Sequence, residues 1–332
     1  MYNDRKQLYE KLEEQRKSKL IVYITGDRRQ LETKIGSDVI DFFTHHLDLI
    51  YNHDRISLYL YTRGGETLAA WSIINLIRQF CTYLEVIVPS KAHSAGTLMC
   101  LGANSIIMTK QATLGPIDPS VNTPLNPQVP GAAPHAKVPV SVEDLNAFVE
   151  YCRYTLGPNA EFRELILSLS EKVHPLVLGN AFRARGQIRM LAKKLLANQN
   201  HDDDKLEELL RFLCSESGSH DYTINRREAH NELGLPIEKP DDELYTLIKN
   251  IYDDIADELE IATPYDPNSL LGMENAKNYC LPRAFVESVA GGSHCFYSEG
   301  KLARTQVQPK PGVVQLGIQD NRTFEGWRHT NG

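Results

Sequence analysis

Apolar residues in the first third of the chain occur both in short continuous runs and at helical spacing. Four runs rich in β-branched residues predict buried strands, at 20–25, 56–62, 84–89 and 105–109. Apolar positions recur every three or four residues in 36–51 and 66–80, and a helix of small residues begins near Ser94. Strands that alternate with helices build mostly parallel sheets, so the pattern predicts an α/β fold.

The rest of the chain has a different pattern. The segment 114–140 holds seven prolines and is predicted to be a long loop. Ser141 with Asp144 predicts a helix start of the capping-box type. Helices are predicted at about 141–156, 158–172, 175–197, 203–215, 225–235 and 240–259, before two β-like stretches and a weakly patterned tail. We expect three parts: an N-terminal helical arm over 1–19, a main domain over 20–240, and a C-terminal extension over 241–332 with a helix and a β-like tail.

Charge and hydropathy exclude several classes of protein. The 332 residues include 36 Lys and Arg against 43 Asp and Glu, which gives a formal net charge of −7. We expect no nucleic-acid partner, because such binding rests on neutralising phosphates with a basic surface. No apolar run approaches the roughly 18 residues of a membrane span, and the charged N-terminus lacks the apolar segment of a secretory signal.

The cysteines are scattered, without a Cys-x-x-Cys pair or the spacing of a metal site. They are Cys81, Cys100, Cys152, Cys214, Cys280 and Cys295. This usage is typical of reduced thiols inside a cell. We therefore expect a cytoplasmic protein in which the cysteines hold no metal.

Two short motifs carry the candidate chemistry. Gly64-Gly65 directly follows a predicted strand, and paired glycines there leave the backbone bare, so that a substrate can approach an N–H group. Ser94 stands at a strand-to-helix turn, where the free N–H groups of the helix start favour negative charge. A hydroxyl in this position suits a nucleophile, and the N–H of Ala95 is placed to stabilise an oxyanion. Each motif alone is more often a simple turn or a helix cap.

In their order along the chain, the motifs resemble the Clp/crotonase superfold. They are Gly64-Gly65, Ser94-Ala95-Gly96, the stretch Leu114–Pro119, His220-Asp221-Tyr222-Thr223-Ile224 with Glu228-Ala229, and Leu233-Gly234-Leu235. Over about 18–240 the chain is most similar to the serine dehydrogenase proteinase-like family, which is related to signal peptide peptidase A. The resemblance implies a spiral of ββα units, here with added C-terminal helices. It also implies a serine peptidase with Ser94 as nucleophile and the N–H groups of Gly65 and Ala95 as oxyanion hole.

The general base stays open at this point. Clp peptidases carry a catalytic histidine just after the fourth strand, and this chain has none there. Lys137 lies where the lysine of a Ser-Lys dyad falls in relatives of signal peptide peptidase A, and it must be neutral to act as a base. The alternative base is the pair His220 and Asp221, with His93 and His135 as weaker candidates.

One departure from the family bears on the substrate. Arg63 stands where relatives commonly have proline before Gly-Gly. We expect Gly64 and Arg63 to contact the substrate, and the arginine to alter substrate preference or to bind a carboxylate.

The expected function is therefore that of a soluble serine peptidase that hydrolyses peptide bonds through a Ser94 acyl-enzyme. Such a reaction needs no metal and no organic cofactor. Its partners would be a peptide or protein substrate and further copies of itself, because relatives of this fold form rings or stacked trimers. Two alternatives remain: a catalytically inactive oligomeric scaffold in which Ser94 is only a helix cap, and a crotonase-like acyl-CoA enzyme that needs no serine.

Overall fold

A computed structural model of the chain describes residues 1–117, 120–131, 136–157, 162–197, 199, 202–216, 219, 221–310 and 313–330. These residues form two compact units. The first, here called the sheet unit, consists of Met1–Leu114 and Ile224–Gly332. The second, the helical unit, is the segment Gly115–Thr223 between them.

Helices and strands alternate through the first part of the chain, as predicted. The helices are α1 (Tyr2–Arg16), α2 (Ile40–Ile50), α3 (Thr67–Arg78), α4 (Ala95–Leu101), α5 (Val142–Leu156), α6 (Phe162–Lys172), α7 (Pro175–Leu196), α8 (Asp203–Arg211), α9 (Arg226–Asn231), α10 (Asp242–Glu258) and α11 (Pro267–Leu271). The strands are β1 (Lys19–Thr25), β2 (Arg55–Tyr61), β3 (Tyr83–Val88), β4 (Lys91–Ala92), β5 (Ser105–Met108), β6 (Thr113–Leu114), β7 (Ser120–Val121), β8 (Val140–Ser141), β9 (Ile224–Asn225), β10 (Ile237–Glu238), β11 (Ala276–Ser288), β12 (Gly292–Lys310) and β13 (Val313–Thr330).

The sheet unit is built on an eight-stranded sheet in the order β10-β5-β3-β2-β1-β11-β12-β13. The five strands from β10 to β1 run parallel, and β11, β12 and β13 continue the sheet with antiparallel pairing. Alternate residues of the central strands pack against α1 and α10, as Tyr59 does on Ile248. The intervening residues face α2, where the rings of Tyr23 and Phe43 meet edge to face. Both faces are therefore buried, which explains the continuous apolar runs of these strands.

The C-terminal residues form longer strands than their pattern indicated. β12 and β13 span 19 and 18 residues, where the sequence predicted only a short β-like stretch and a weakly patterned tail. The side chains of β13 are mostly exposed, so no buried face imposes a two-residue repeat on them. Shifts of register at Glu299/Gly300 and Val307/Lys310 interrupt the repeat further.

The helical unit holds α5 to α8 and a short antiparallel pair, β7 with β8. Its core groups Val121 and Val140 with Val142 of α5 and with Val177 and Ala181 of α7. Ser141 caps α5 by accepting a hydrogen bond from the Asp144 N–H at 3.1 Å, so the predicted helix start is confirmed.

Candidate active site

The two predicted motifs meet at the carboxyl ends of β2 and β3. The backbone after β2 runs beside the backbone after β3, with Thr62 paired to Ala92. The Thr62 N–H donates to the Lys91 carbonyl at 3.1 Å, and the His93 N–H donates to the Thr62 carbonyl at 3.1 Å. This pairing brings the Gly64-Gly65 turn directly against the turn that carries Ser94.

Gly64 is required by this approach. Its φ is +108°, a left-handed value that favours glycine. A Cβ atom at Gly64 would lie 2.8 Å from the Ser94 Cβ and 2.9 Å from the His93 carbonyl oxygen. The Thr62 hydroxyl accepts a hydrogen bond from the Gly64 N–H at 2.9 Å, which fixes the turn. The glycine that the sequence singled out therefore permits the close contact between the two motifs.

Ser94 has an unusual backbone conformation. Its φ of 53° and ψ of −115° lie outside the regions that non-glycine residues commonly occupy. Such a conformation costs on the order of 1–3 kcal/mol and is common at functional sites. Among the described residues of α4, no backbone N–H is capped by the Ser94 side chain. The helix begins at Ala95, so Ser94 stands at its N-terminus without serving as its cap.

Two backbone N–H groups border Ser94 without an acceptor among the described residues. Ile35 pairs with Gly65 by donating to the Gly64 carbonyl at 2.9 Å and accepting from the Glu66 N–H at 2.8 Å. This pattern leaves the Gly65 N–H unused. Ala95 is the first residue of α4, so its N–H has no partner within the helix. An oxyanion beside Ser94 is the type of acceptor that such donors stabilise.

The structure holds the serine turn from both sides. On the helix side, the Thr97 hydroxyl donates to the Ala92 carbonyl at 2.8 Å. On the strand side, the Lys91 ammonium pairs with the Asp27 carboxylate at 2.8 Å, and the Tyr61 hydroxyl donates to the same carboxylate at 2.6 Å. Burial, followed by the Asp27 charge, raises the pKa of Tyr61 well above its ordinary value, so the phenol stays a donor.

Sequence reasoning missed the group formed by Lys91, Asp27 and Tyr61. Each of the three follows or ends a strand of the parallel sheet, β3, β1 and β2 respectively. Polar residues at the ends of neighbouring parallel strands meet at one edge of the sheet, and that position was the available signal.

The candidate bases occupy different parts of the chain. Lys137, half-buried in the helical unit, pairs with Gln128 in an isolated bridge, whereas Ser94 belongs to the sheet unit. Asp221 lies in an exposed turn. His220 and His135 lie outside the described residues. His93 shares a hydrogen bond of 2.9 Å between its Nε2 and the Thr113 hydroxyl.

Arg63, metal binding and membrane spans are the other features on which the sequence made predictions. Arg63 is exposed and directly precedes the Gly-Gly turn, so its predicted contact with a substrate stays a prediction. In the part of the chain that is described, no three histidine, cysteine or carboxylate side chains are arranged to hold a metal ion. No helix among the described residues has the length and apolar character required to cross a membrane.

Two curated relatives from Methanocaldococcus jannaschii match part of the chain. The uncharacterised protein MJ0137 is 31% identical over 195 residues, which cover 58% of this chain and 57% of that protein. The uncharacterised protein MJ1495 is 27% identical over 235 residues, or 68% of each protein. The chain thus spans little more than half the length of the first of these relatives.

Solved structures of two proteases are similar to the chain. A mutant of the 1510-N membrane-bound stomatin-specific protease is 17% identical with a TM-score of 0.40, over 69% of this chain and 85% of that chain. ClpP1 from Listeria monocytogenes is 16% identical with a TM-score of 0.37, over 71% of this chain and 99% of that chain.

A family model matches the segment that holds both turns. It describes the ClpP-like SDH-type serine proteinases and covers residues 1–137, from α1 through Gly64 and Ser94 to Lys137. The predicted Clp-like α/β fold is thereby confirmed. Residues 1–137 are thus similar to the ClpP-like SDH-type serine proteinases, the family that the motifs resemble.

Proposed function

We propose that this chain is an active serine peptidase with Ser94 as its nucleophile. The observation that carries the proposal is the joint geometry of the two turns. Ser94 is held at a positive φ against Gly64, its side chain caps no described N–H of α4, and the N–H groups of Gly65 and Ala95 lack described acceptors. A helix cap needs none of these features, whereas acyl transfer uses all of them.

The reaction follows from these positions. The Ser94 oxygen forms a bond to the peptide carbonyl carbon as its proton passes to the base, and the negative charge on the carbonyl oxygen is stabilised by the two N–H groups. The C–N bond then breaks, and the base returns the proton to the leaving amine. Water attacks the resulting ester by the same route, which releases the acid and restores the serine.

Lys137 is the base we propose, with the pair His220 and Asp221 as the alternative. The support for Lys137 is its place in the sequence, within the segment that matches the family, and its partial burial. A lysine acts as a base only when its surroundings favour the neutral amine, as an apolar neighbourhood does.

Arg63 supports a further part of the proposal. It is exposed and stands two residues before the proposed oxyanion donor Gly65. We propose that it favours peptides with a carboxylate close to the scissile bond. The charge reversal Arg63→Glu should then slow cleavage of acidic peptides while leaving neutral ones unaffected.

A fluorophosphonate probe tests the nucleophile directly. The wild-type chain should be labelled and Ser94→Ala should not. Ser90→Ala, four residues earlier in the bend between β3 and β4, should be labelled as the wild type is. Absence of labelling in a folded wild type would contradict the proposal, as would equal labelling of Ser94→Ala.

The same probe distinguishes the two bases. Lys137→Ala should lose labelling by about 10²–10⁴-fold, the usual contribution of a general base. His220→Ala should retain it. The opposite result would assign the proton to the histidine pair and refute the dyad.

A further inference from the structure

One loop is paired with the Gly64-Gly65 turn. It consists of residues 26–36, here called the support loop, which belong to no helix or extended strand. Its Ile35 donates to the Gly64 carbonyl and accepts from the Glu66 N–H, on either side of the Gly65 N–H. A Cβ atom at Gly65 would lie only 2.3 Å from the Ile35 carbonyl oxygen, so the two backbones are in direct contact. The position of the Gly65 N–H therefore depends on that of the support loop.

Arg283 of β11 binds the support loop through its backbone. The pairing of β11 with β12 shifts register between Pro282 and Ala284, so Arg283 is the extra residue of a bulge. Its carbonyl accepts the Gly26 N–H at 2.9 Å and the Thr33 hydroxyl at 3.0 Å. A Cβ atom at Gly26 would lie 2.5 Å from that carbonyl oxygen, so glycine permits the approach. These bonds join the start and the second half of the support loop to β11.

The Arg283 side chain binds the middle of the same loop. Its Nε–H donates to the Leu31 carbonyl at 3.0 Å, and one terminal nitrogen donates to the Glu32 carbonyl. The other terminal nitrogen donates to the Ser298 hydroxyl at 3.0 Å and lies 3.3 Å from a Glu325 oxygen, which ties the guanidinium to β12 and β13. The planar guanidinium presents several donors in a fixed fork, so it can hold two carbonyls at once. Only 10% of the side chain is exposed, so water has little access to these bonds.

We propose that Arg283 is a positioning residue, which fixes the Gly65 N–H beside Ser94 by way of the support loop. The contacts run from Arg283 to the support loop and from Ile35 to the Gly64-Gly65 turn. The proposal rests on the proposed function, in which the Gly65 N–H stabilises an oxyanion. Arg283 lies in the predicted C-terminal extension and outside the segment that matches the family model. The extension thus completes the site without contacting a reacting atom.

The kinetics of fluorophosphonate labelling test the proposal. Arg283→Met removes the side-chain bonds to the support loop, so labelling should slow by about tenfold to a hundredfold, the cost of misplacing a catalytic group by up to about 1 Å. The maximal labelling rate should fall while the probe concentration at half-maximal rate stays unchanged, since an oxyanion contact strengthens in the transition state. The final amount of label should equal that of the wild type. A substitution that only unfolds part of the protein would lower that amount instead.

Arg304 provides a matched control. Its side chain also donates to two loop carbonyls, those of Glu274 at 3.2 Å and Gly272 at 2.6 Å, but among the described residues this loop has no pairing with the Gly-Gly turn. Arg304→Met should therefore be labelled at the wild-type rate. Thr33→Val is a milder second variant that removes only the hydroxyl donor to the Arg283 carbonyl and to the Gly26 carbonyl. It should slow labelling by about twofold to fivefold, the rate equivalent of one hydrogen bond.

Amide hydrogen exchange gives a second measurement that needs no activity. The Ile35 and Glu66 N–H groups are bonded across the contact between the support loop and the turn, so both should exchange faster in Arg283→Met and at the wild-type rate in Arg304→Met. A wild type that takes no label would contradict the proposed peptidase, and the exchange rates would then still decide whether Arg283 holds the turn. Unchanged exchange in Arg283→Met, a wild-type labelling rate in the folded variant, or an equal fall in Arg304→Met would each overturn the proposal.

Discussion

The two ends of the parallel sheet show opposite uses of polar groups. At the amino ends of β2 and β3, the fully buried Glu85 accepts hydrogen bonds from Arg16, Arg55 and Ser57. At the carboxyl ends of the same two strands, the N–H groups of Gly65 and Ala95 have no acceptor among the described residues.

The backbone is also regular at the Glu85 end and irregular at the Ser94 end. Around Glu85 the strands continue in regular pairing, with Ser57 opposite Glu85 in the register of β2 and β3. Around Ser94 the backbone takes positive φ at three of the residues that form the two turns, Gly64, Gly65 and Ser94. At one end the Glu85 carboxylate is fully paired and the backbone is regular, although the buried Nε of Arg55 has no partner among the described residues. At the other end the backbone is strained and two N–H groups lack described acceptors. The comparison teaches that the buried ion pairs and the proposed chemistry occupy opposite ends of one sheet, in line with the rule that ligands bind beyond the carboxyl ends of parallel strands.

The largest effect is expected from breaking the Glu85 network. Glu85→Ala leaves the Arg16 and Arg55 charges without their buried anion, so the free energy of unfolding should fall by about 3–5 kcal/mol. Urea unfolding measures this loss, and probe labelling of Ser94 should persist wherever the variant is folded. The exposed Glu243→Ala is the control and should change stability by less than about 0.5 kcal/mol. A loss of labelling in folded Glu85→Ala would show that the two ends are coupled.

Acid should weaken the same network. Burial acts to raise the pKa of Glu85, but hydrogen bonds from Arg16, Ser57 and Arg55 outweigh it and lower the pKa below its ordinary value of 4.5. A carboxyl whose pKa is lowered by folding stabilises the protein above that ordinary value and loses its contribution as the pH falls further. The Glu85 contribution should therefore be complete at neutral pH and decline only below about pH 4.5.

The carboxyl end was largely predictable from the sequence, and the amino end was not. The four predicted strands agree with β1, β2, β3 and β5 to within one residue at each end, because buried parallel strands leave continuous apolar runs. Gly64 and Ser94 are local signals at the ends of such runs. The Glu85 network joins Arg16, Arg55 and Glu238, which are distant in sequence, and no local pattern marks their meeting.

The general base was unpredictable for the same reason. Its identity depends on which side chain reaches Ser94 across a long stretch of chain, and neither composition nor spacing measures that approach. The division into an arm, a domain over 20–240 and an extension stays a prediction as well. The β12–β13 pairing escaped prediction because backbone bonds, rather than a buried face, define it.

A cluster of histidines lies beside the antiparallel strands β11 to β13. Unlike the Glu85 network, its members have described contacts only with one another and with neutral groups, so it tests whether an opposite charge is needed to keep a buried network stable. His46 is buried between the Ser288 hydroxyl at 2.7 Å from Nδ1 and His294 at 3.0 Å from Nε2. The rings of His45 and His329 contact His294 as well. Burial, then the neighbouring His294, His45 and His329, lowers the pKa of His46 to about 3, and burial with His329 and His45 lowers that of His294 to about 4.

The sign of the pH effect follows from these values. Unfolded histidine titrates near 6.5, so protons bind preferentially to the unfolded chain and stability declines as the pH falls below about 6.5. His46 alone should remove about 2 kcal/mol between pH 7 and pH 5. Urea unfolding at the two pH values should show a smaller loss for His46→Gln than for the wild type. The exposed His230→Gln is the control, and equal losses in all three proteins would contradict the assignment.

Relieving the backbone strain at Ser94 should have a smaller effect, and it should raise the free energy of unfolding instead of lowering it. Ser94→Gly permits the positive φ without steric cost, so the free energy of unfolding should rise by about 1 kcal/mol while labelling is lost. Ser94→Ala keeps the Cβ and the strain, so it should lose labelling without gaining stability. If the two variants are equally stable, the backbone at Ser94 is not strained and the contrast between the ends is weaker than proposed.

The smallest effect is expected at Lys91, which adjoins the strained turn without belonging to it. Lys91→Met removes a partly exposed ion pair with Asp27, so stability should change by only about 0.5 kcal/mol. The strand that leads to Ser94 would lose its tie to β1, and the labelling rate should fall about twofold to threefold, the rate equivalent of that free energy. Lys91→Arg keeps the charge and should restore the rate, whereas a purely structural role would change the unfolding midpoint and leave the rate of the folded protein unaltered. A rate for Lys91→Met equal to that of the wild type would show that α4 and the Thr62 pairing hold the serine turn by themselves.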